Sequence, residues 1–521
     1  MTSLVIRNGL VLDGSGGEPI RADVAVADGR IERIGDVEPG PPELDAGGRY
    51  VAPGFIDIHS HSDYTLLVDP RAASAIHQGV TLEVVGNCGH GCFPIRTETL
   101  AARAIYGHSE AVPVTWESAA GYFERLEEAR PAVNVLSLLP NGQLRLAVVG
   151  LEDRPASPAE LREMSKLLEE GLEQGAWGYS TGLEYAQERG ATEAELTALC
   201  GVAARRGGMY ATHTRRRDAG SAEAVEEAVR TARESGARLQ LSHLIPRSGE
   251  EEGRRCIAAI DAAAESDLDV AFDMHTRLYG TTFLHTVLPP AILGESPERQ
   301  DELLRDRDTI ATIERYESIL SAGGDWERIV LLDNDIVPRY NRRSIASIAA
   351  ERGQEPLEAI CGLLREALPD TSRLMVINHC HTEAQQREAF THPLSMPGSD
   401  ATTLAPDGPL AGSTFHGAYT WAAWFYRFMV TQENLLSPGE AVRRLTSAPA
   451  ERVGLTDRGV LRKGAAADVV VFDPAALTER GTTYEPNQLA AGVTHVLVNG
   501  VVTLRDGEPT GDRAGQVLRR T

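Results

Sequence analysis

Short apolar runs alternate with longer stretches of helical periodicity through the middle of the chain. Buried strands and amphipathic helices produce these two patterns. The predicted strands cover residues 81–85, 134–138, 176–179, 209–211, 238–241, 269–272, 329–332, 375–377 and 394–396. Between two of them, Ser157-Pro158-Ala159-Glu160 has a capping box with proline at the first helical position, which predicts a helix start. Alternation of strand and helix over roughly 350 residues favours an α/β fold with a parallel sheet.

Both ends of the chain have a different pattern, in which short β-type segments are separated by glycine turns. Asn8-Gly9 is one such turn near the start, and Asn499-Gly500 is one near the end. Either end alone would expose a bare apolar face, so we expect the two ends to form one small β-sandwich. The predicted domains are this sandwich, from residues 1–52 and 451–521, and a central domain over residues 53–450.

Residues 277–345 interrupt the central alternation, because they are loosely patterned and rich in charged side chains. We interpret them as an insertion at the mouth of the central domain. Two functions remain open for it: a lid that closes over a catalytic site, or an excursion on the surface.

Composition narrows the function classes. The net charge of -24 disfavours a nucleic acid partner, because polyphosphate would be repelled. No apolar stretch approaches the length of a membrane span, and the first residues lack the pattern of a signal peptide. The six cysteines do not suggest a disulfide framework in so long a chain. We therefore expect a cytoplasmic protein that acts on a small molecule, without a membrane partner, and leave oligomer formation open.

His59 and His61 give the strongest chemical signal. They follow an apolar segment that begins at Phe55, and residues i and i+2 of a strand point to the same side. Both imidazoles can therefore bind one metal ion at the end of a strand.

Other residues that could bind a metal also follow predicted strands. Cys88 comes after the strand at 81–85, and His213 and His243 come after two successive strands. Thiolate and imidazole are good zinc ligands. Asp400 follows the last predicted strand, and a carboxylate beside a hydrolytic metal can carry a proton from water to a leaving nitrogen. This placement favours a TIM-like (β/α) barrel, whose sites lie at the carboxyl ends of its strands, over a doubly wound open sheet.

These residues belong to motifs that extend, in order, over nearly the full chain. The motifs are Pro-Gly-Phe-Ile-Asp-Ile-His-Ser-His at 53–61, Gly-Asn-Cys-Gly at 86–89, Gly-Tyr-Ser-Thr-Gly-Leu-Glu-Tyr at 178–185, Tyr-Ala-Thr-His at 210–213, Gln-Leu-Ser-His at 240–243, Gly-Ser-Asp at 398–400, Leu-Thr-Ser-Ala-Pro-Ala at 445–450 and Gly-Ala-Ala-Ala-Asp at 464–468. Together they resemble the amidohydrolase superfamily and, within it, the N-acyl-D-amino-acid deacylase (D-aminoacylase) group. The Cys-bearing motif is specific to that group, because many relatives use a carboxylated lysine to bridge two metals.

The resemblance implies a TIM-like barrel, a β-sandwich from both ends and a metal centre. One tightly held zinc ion would be bound by Cys88, His213 and His243. A weaker second metal position would lie at His59 and His61, with the participation of the carboxylate at position 400. Three protein ligands leave an open position on zinc for water.

The reaction that the resemblance implies is zinc-dependent hydrolysis of the amide bond of an N-acyl (D-)amino acid or a related amide. Asp400 would act first as general base and then as general acid. Two alternatives stay open: hydrolysis of a cyclic amide or another C–N bond, and a non-catalytic scaffold that kept the fold. The preference for D-amino acids comes from the resemblance alone.

Three positions depart from the usual pattern of the group. Asn141 stands where the group has histidine between two glycines, Leu244-Ile245 stand where a lysine follows the last zinc histidine, and His275 and Arg277 stand in place of a Tyr-Pro-Tyr sequence. We expect Asn141, His275, Arg277 and His416 to contact the substrate. Arg277 would grip a carboxylate with two hydrogen bonds or else form a surface salt bridge. The missing lysine also permits a substrate without the usual carboxylate.

Overall fold

The computed structural model describes residues 3–38, 42–109, 111–316, 318–320 and 324–520. The strands are β1 (Leu4–Val11), β2 (Ile20–Ala27), β3 (Arg30–Gly35), β4 (Glu43–Asp45), β5 (Tyr50–Pro53), β6 (Phe55–Asp57), β7 (Val80–Val85), β8 (Asn134–Ser137), β9 (Leu139–Pro140), β10 (Gly178–Gly182), β11 (Met209–His213), β12 (Arg238–Leu241), β13 (Val270–His275), β14 (Tyr279–Phe283), β15 (Ile329–Leu331), β16 (Met375–His379), β17 (Ser395–Gly398), β18 (Val469–Phe472), β19 (Val493–Val498), β20 (Val501–Arg505) and β21 (Glu508–Pro509).

The α-helices lie between these strands along the chain. They are α1 (Thr65–Val68), α2 (Ala73–Ile76), α3 (Glu98–Ala101), α4 (Ala119–Ala129), α5 (Asn141–Val148), α6 (Pro158–Glu173), α7 (Glu193–Arg205), α8 (Ser221–Ser235), α9 (Glu250–Glu265), α10 (Pro290–Leu293), α11 (Pro297–Leu303), α12 (Arg307–Arg315), α13 (Ile345–Arg352), α14 (Pro356–Ala367), α15 (Glu383–Thr391), α16 (Trp421–Tyr426), α17 (Pro438–Leu445) and α18 (Ser447–Val453). Helix α6 begins with the predicted capping box, in which the Ser157 and Glu160 side chains each accept from the other's backbone N–H.

A closed barrel of parallel strands forms the centre of the molecule. Strands β6, β7 and β8 pair in that order, and β9 continues from β8 into a six-stranded parallel run through β10, β11, β12, β13 and β17. The ring closes where Ser60 pairs with Ala401 and the Asp400 backbone N–H donates to the His59 carbonyl, at 2.9 Å. This closure confirms the TIM-like barrel, since an open sheet would leave β6 and β17 as edges.

The barrel strands are largely buried on both faces, because one face fills the barrel and the other packs under the helices. All residues of β7 are buried, for example. The interior cluster includes Leu82 of β7, Leu136 of β8 and Met209 of β11, together with Ile58, which follows β6. This packing holds the carboxyl ends of the strands rigidly at one rim.

The two ends of the chain form one β unit, as the sequence predicted. Strands β1–β5 and β18–β21 make a nine-stranded sheet in which β5 pairs with β18 and thereby joins the two ends. Its inner side chains pack into a separate cluster that contains Ile6, Val24, Val469 and Leu497. Neither end could bury this apolar surface alone.

Between β13 and β17 the chain leaves the barrel. Strands β14, β16 and β15 form a three-stranded antiparallel sheet, and it shares a hydrophobic cluster with α13 and α14. The segments at 329–332 and 375–377 are strands, as predicted, but they belong to this sheet rather than to the barrel. The separate unit therefore extends to His379, beyond the predicted insertion. Among the described helices, none is long and apolar enough to cross a membrane.

Candidate metal and catalytic site

The predicted ligand residues all lie at the carboxyl ends of barrel strands. His59 and His61 follow β6, Cys88 follows β7, His213 ends β11, His243 follows β12, and Asp400 follows β17. Carboxyl ends of parallel barrel strands share one rim. Residues that are hundreds of positions apart in sequence therefore meet in space.

The side chains form two overlapping groups around Cys88. His59, His61, Cys88 and Asp400 make one group, and Cys88, His213 and His243 make the other; the donor atoms within each group lie within 4.8 Å of one another. The Cys88 Sγ lies 3.2 Å from His59 Nε2 and 3.4 Å from His243 Nε2. The structure thus brings together all the residues predicted as metal ligands.

The chemistry of these donors fits zinc. Sulfur, imidazole nitrogen and carboxylate oxygen are its usual ligands in proteins. The Nδ1 atom of His213 is buried without a hydrogen-bond partner, an arrangement that costs free energy unless a ligand satisfies it. Burial raises the pKa of the Cys88 thiol, and His59 opposes this shift. A bound cation favours the thiolate.

Unusual backbone geometry directs several of these side chains inward. Cys88, His243 and Asp400 have φ angles of 53°, 34° and 44°, a region that non-glycine residues occupy at a cost of order 1–3 kcal/mol each. Gly89 has φ +69°, and a Cβ there would lie 1.6 Å from Glu188 Oε1. The turn after Cys88 therefore requires glycine.

Asp273 orients one histidine from each group. Its Oδ1 accepts from His59 Nδ1 at 2.9 Å and from the His243 backbone N–H at 2.8 Å, while Oδ2 accepts from Gln240 Nε2 at 2.9 Å. Burial alone would lower the pKa of His59, but the charges of Cys88 and Asp273 raise it well above the usual value. A carboxylate behind an imidazole fixes its tautomer and increases its strength as a ligand.

Glu184 plays the same part for His213. Its Oε2 accepts from His213 Nε2 at 2.9 Å and from Arg247 Nη1 at 3.2 Å. Burial would raise the pKa of Glu184, but Arg247 and His213 hold it well below its usual range. The His213 Nδ1 is left without a hydrogen-bond partner.

Asp400 is held by the residues on both sides of it. Its Oδ1 lies 3.3 Å from His61 Nε2, and its Oδ2 accepts from Arg277 Nη2 at 2.9 Å. Burial would raise its pKa, but the hydrogen bond with His61 and the charges of His243 and Arg277 lower it well below the usual range. Its side chain keeps 21% of its surface exposed, against 0% for His59 and 2% for His61. Asp400 is therefore the accessible carboxylate of the group.

The four residues predicted to contact the substrate have different surroundings. Arg277 is buried and donates to the carbonyl oxygens of Ser399 and His416 as well as to Asp400. His275 ends β13, where its ring lies 5.2 Å from that of His381 and its Nδ1 has no partner. Asn141 donates a hydrogen bond to Glu188 Oε2 at 2.7 Å. The His416 Nε2 lies 2.7 Å from the Thr483 carbonyl oxygen. The His416 side chain thus turns toward Thr483.

Several residues of the site were not predicted. Asp273 and Glu184 had a signal, since one lies near the end of a predicted strand and the other within the motif at 178–185. Tyr106 and Tyr185 had none that separates them from core tyrosines. Their rings lie 4.6 Å from His61 and 4.8 Å from His213, respectively, so they form an aromatic wall beside the metal ligands.

The model that describes the amidohydrolase family matches residues 43–282 and 343–504. The chain belongs to the amidohydrolase family. The unmatched segment between these ranges falls in the three-stranded sheet and helices that leave the barrel. The resemblance inferred from the sequence motifs is thereby confirmed.

Individual relatives agree with this assignment over the whole length. The chain is 35% identical to an N-acyl-D-glutamate deacylase of Alcaligenes xylosoxydans xylosoxydans, over 99% of this chain and 96% of that protein. It is 32% identical to an N-acyl-D-aspartate deacylase of the same organism, over 99% and 94%. The crystal structure of N-acyl-D-glutamate deacylase from Bordetella bronchiseptica, complexed with zinc and a phosphonate mimic of the tetrahedral intermediate, matches 100% of both chains with a TM-score of 0.81 and 31% identity.

Proposed function

We propose that this amidohydrolase hydrolyses the amide bond of N-acyl-D-amino acids and depends on zinc. The observation that carries the proposal is the convergence of two donor groups and one accessible carboxylate at the carboxyl rim of the barrel. Two relatives that match the whole chain are an N-acyl-D-glutamate deacylase and an N-acyl-D-aspartate deacylase. A cytoplasmic location and oligomer formation stay predictions.

Cys88, His213 and His243 would hold the tightly bound zinc ion. His59 and His61, with Asp400, would form the weaker second position. When bound in the first position, zinc would supply a Lewis acid for the amide carbonyl and would lower the pKa of water toward 7. Asp273 and Glu184 each hold one ring nitrogen of His59 and His213, respectively, and so fix the tautomer that leaves the other nitrogen for the metal.

Asp400 is the proton carrier of the proposed reaction. Its ionised carboxylate accepts a proton from the attacking water as the new C–O bond forms. When the C–N bond breaks, Asp400 gives that proton to the departing nitrogen, so the amine leaves uncharged. Arg277 holds the carboxylate in place through Oδ2 and leaves Oδ1 on the side of the histidines. We therefore assign Arg277 to positioning Asp400.

The acyl group would lie against the aromatic wall. Tyr106 contacts both His61 and His90 with ring centroids 4.6 Å apart, and Phe415 contacts Tyr106 at 5.7 Å. These rings offer an apolar surface next to the proposed reaction centre.

The alternative of a cyclic-amide hydrolase with a lysine bridge is disfavoured by composition. The chain has two lysines, Lys166 and Lys463. Lys166 lies on α6 with 67% of its side chain exposed, and Lys463 is an exposed residue that precedes β18. Neither can bridge two metals at the barrel rim. The scaffold alternative is disfavoured because every proposed ligand and the proposed base converge.

The first test is a chiral mass-spectrometric assay of the zinc-loaded protein on paired N-acyl-D- and N-acyl-L-amino acids with acidic, polar and apolar side chains. We expect release of the free D-amino acid and at least about 100-fold less release from the L series, because a rigid site aligns one enantiomer with its base. Protein stripped with a chelator serves as the control. Release from neither series would refute the proposed substrate class.

Glu184→Gln should weaken zinc binding by about 10- to 100-fold, because the neutral amide no longer supports the His213 imidazole as a ligand. Zinc dissociation constants from competition with a chromogenic chelator would measure this. Glu227→Gln is the matched control, since Glu227 also pairs with an arginine, Arg215, and lies outside both donor groups. Unchanged zinc affinity in Glu184→Gln would contradict the role of this carboxylate.

A further inference from the structure

Arg217 differs from the other buried arginines of the protein. Among the described residues, each other buried arginine forms an ion pair with a carboxylate. The pairs are Arg145 with Glu195, Arg277 with Asp400, Arg444 with Glu440, Arg452 with Asp269 and Arg458 with Asp468. Arg217 is only 8% exposed and is in none of the ion pairs found in the described part of the chain. Glu184 and Asp400 are close enough to act on its charge, but neither forms an ion pair with it.

The guanidinium of Arg217 is nevertheless fixed in position. Its Nη2 donates to the His243 carbonyl oxygen at 2.6 Å and to the Ile245 carbonyl oxygen at 3.1 Å, and its Nε is buried without a partner. These bonds hold the charge beside a proposed zinc ligand. A buried and uncompensated charge costs free energy, so a rigid cation at this place is suited to an anionic ligand that supplies the missing partner.

The neighbouring side chains add hydrogen-bonding atoms without a further net charge. The Nδ1 atoms of His275 and His381 are buried without partners, and their rings lie 5.2 Å apart. Burial, and then the charges of His275 and Arg217, hold the pKa of His381 well below its usual value, so this imidazole is neutral. Arg247 is matched by Glu184. Asp400, the other carboxylate that acts on Arg217, is matched by Arg277, so the positive charge of Arg217 is left in excess.

We infer that Arg217 binds the carboxylate of the substrate's amino-acid part. This inference rests on the proposed function and specifies the substrate as an N-acyl amino acid with a free carboxylate, rather than a simple amide. Nη2 is already used by the two backbone carbonyl oxygens, so the carboxylate would accept a charge-assisted hydrogen bond from the unpartnered Nε of Arg217. Arg217 donates a hydrogen bond to the Ile245 carbonyl oxygen. It therefore places a positive charge next to Leu244-Ile245, where other members of the group have a lysine.

The test compares an N-acetyl-D-amino acid with its carboxamide, which has the same shape and no charge, in the zinc-loaded full-length protein. Arg217→Gln should lower kcat/KM for the carboxylate substrate by about 100-fold, mainly through KM, and change that for the carboxamide by less than about threefold. Arg217→Lys keeps the charge but loses the bonds to the His243 and Ile245 carbonyl oxygens that fix it in place, so its loss should be intermediate. Arg216→Gln removes a charge from the adjacent, exposed position and should behave like the wild type.

Each other outcome is decisive. If Arg217→Gln lowers kcat/KM equally for both substrates, Arg217 only supports the His243 segment and the inference is overturned; zinc content and thermal unfolding of the variant identify this case. An unchanged preference for the carboxylate would also overturn it. If the wild type hydrolyses the carboxylate and the carboxamide equally well, the proposed function stands and Arg217 is not the anchor. If the wild type hydrolyses neither, the proposed function itself fails.

Discussion

Asp400→Asn should lower kcat by about 10³-fold while the tightly bound zinc stays in place. The amide has the size and shape of the carboxylate but cannot accept a proton from water or deliver one to the leaving nitrogen, and general acid–base groups contribute effects of this order. Zinc should remain because the group formed by Cys88, His213 and His243 does not include Asp400. Turnover rates and metal content by mass spectrometry, measured on the same preparation, would check both statements.

The control for this variant is Asp407→Asn. Asp407 also pairs with an arginine, Arg71, but 74% of its side chain is exposed, and it should keep the wild-type rate. The substitution at Asp400 also leaves Arg277 without its carboxylate, so thermal unfolding should be recorded to separate loss of chemistry from loss of fold. Retained turnover in Asp400→Asn, or loss of zinc with an intact fold, would refute the assigned role.

Cys88→Ala should lose the tightly bound zinc and, with it, nearly all activity. Cys88 is the one residue that belongs to both donor groups, and its thiolate is the strongest ligand that the site offers to zinc. Two imidazoles cannot hold a metal as firmly as two imidazoles and a thiolate. We expect less than about one tenth of the wild-type zinc content after dialysis against a weak chelator, with activity reduced in proportion.

Cys200→Ala is the matched control for the thiol. Cys200 is also fully buried, but it packs in the hydrophobic cluster outside the barrel and takes no part in either donor group. Its variant should lose some stability, of order 1 kcal/mol, and keep its zinc. Full zinc occupancy in purified Cys88→Ala would show that the thiolate is not a ligand of the tight site.

Much of the fold was predictable because its patterns are local. The period of apolar residues identified barrel strands such as β7 and β12, and Ser157-Pro158 marked a helix start. The segments that became β15 and β16 have the same local pattern, so the sequence placed them in the barrel. Which sheet a short apolar strand joins depends on its partners in space, and a one-dimensional pattern does not contain them.

The candidate site divides in the same way. The sequence identified the candidate ligands and the candidate base because each of them follows a predicted strand and lies in a family motif. They are His59, His61, Cys88, His213, His243 and Asp400. The structure added the groups that act on them: Asp273 behind His59, Glu184 behind His213, and Arg277 on Asp400. Charged residues are common in loops, so the sequence does not single these three out. Only the folded structure shows which charged side chains lie next to the metal ligands.

The sequence by itself determined the α/β class, the joining of the two ends in one β unit, the family and the set of candidate metal ligands. Tertiary structure alone decided that Arg277 pairs with Asp400 and that Arg217 forms no ion pair with any carboxylate in the described part of the chain. The first set follows from residue types and periods along the chain. The second depends on distances of a few ångströms between side chains far apart in sequence, and charge interactions between buried groups change with such distances.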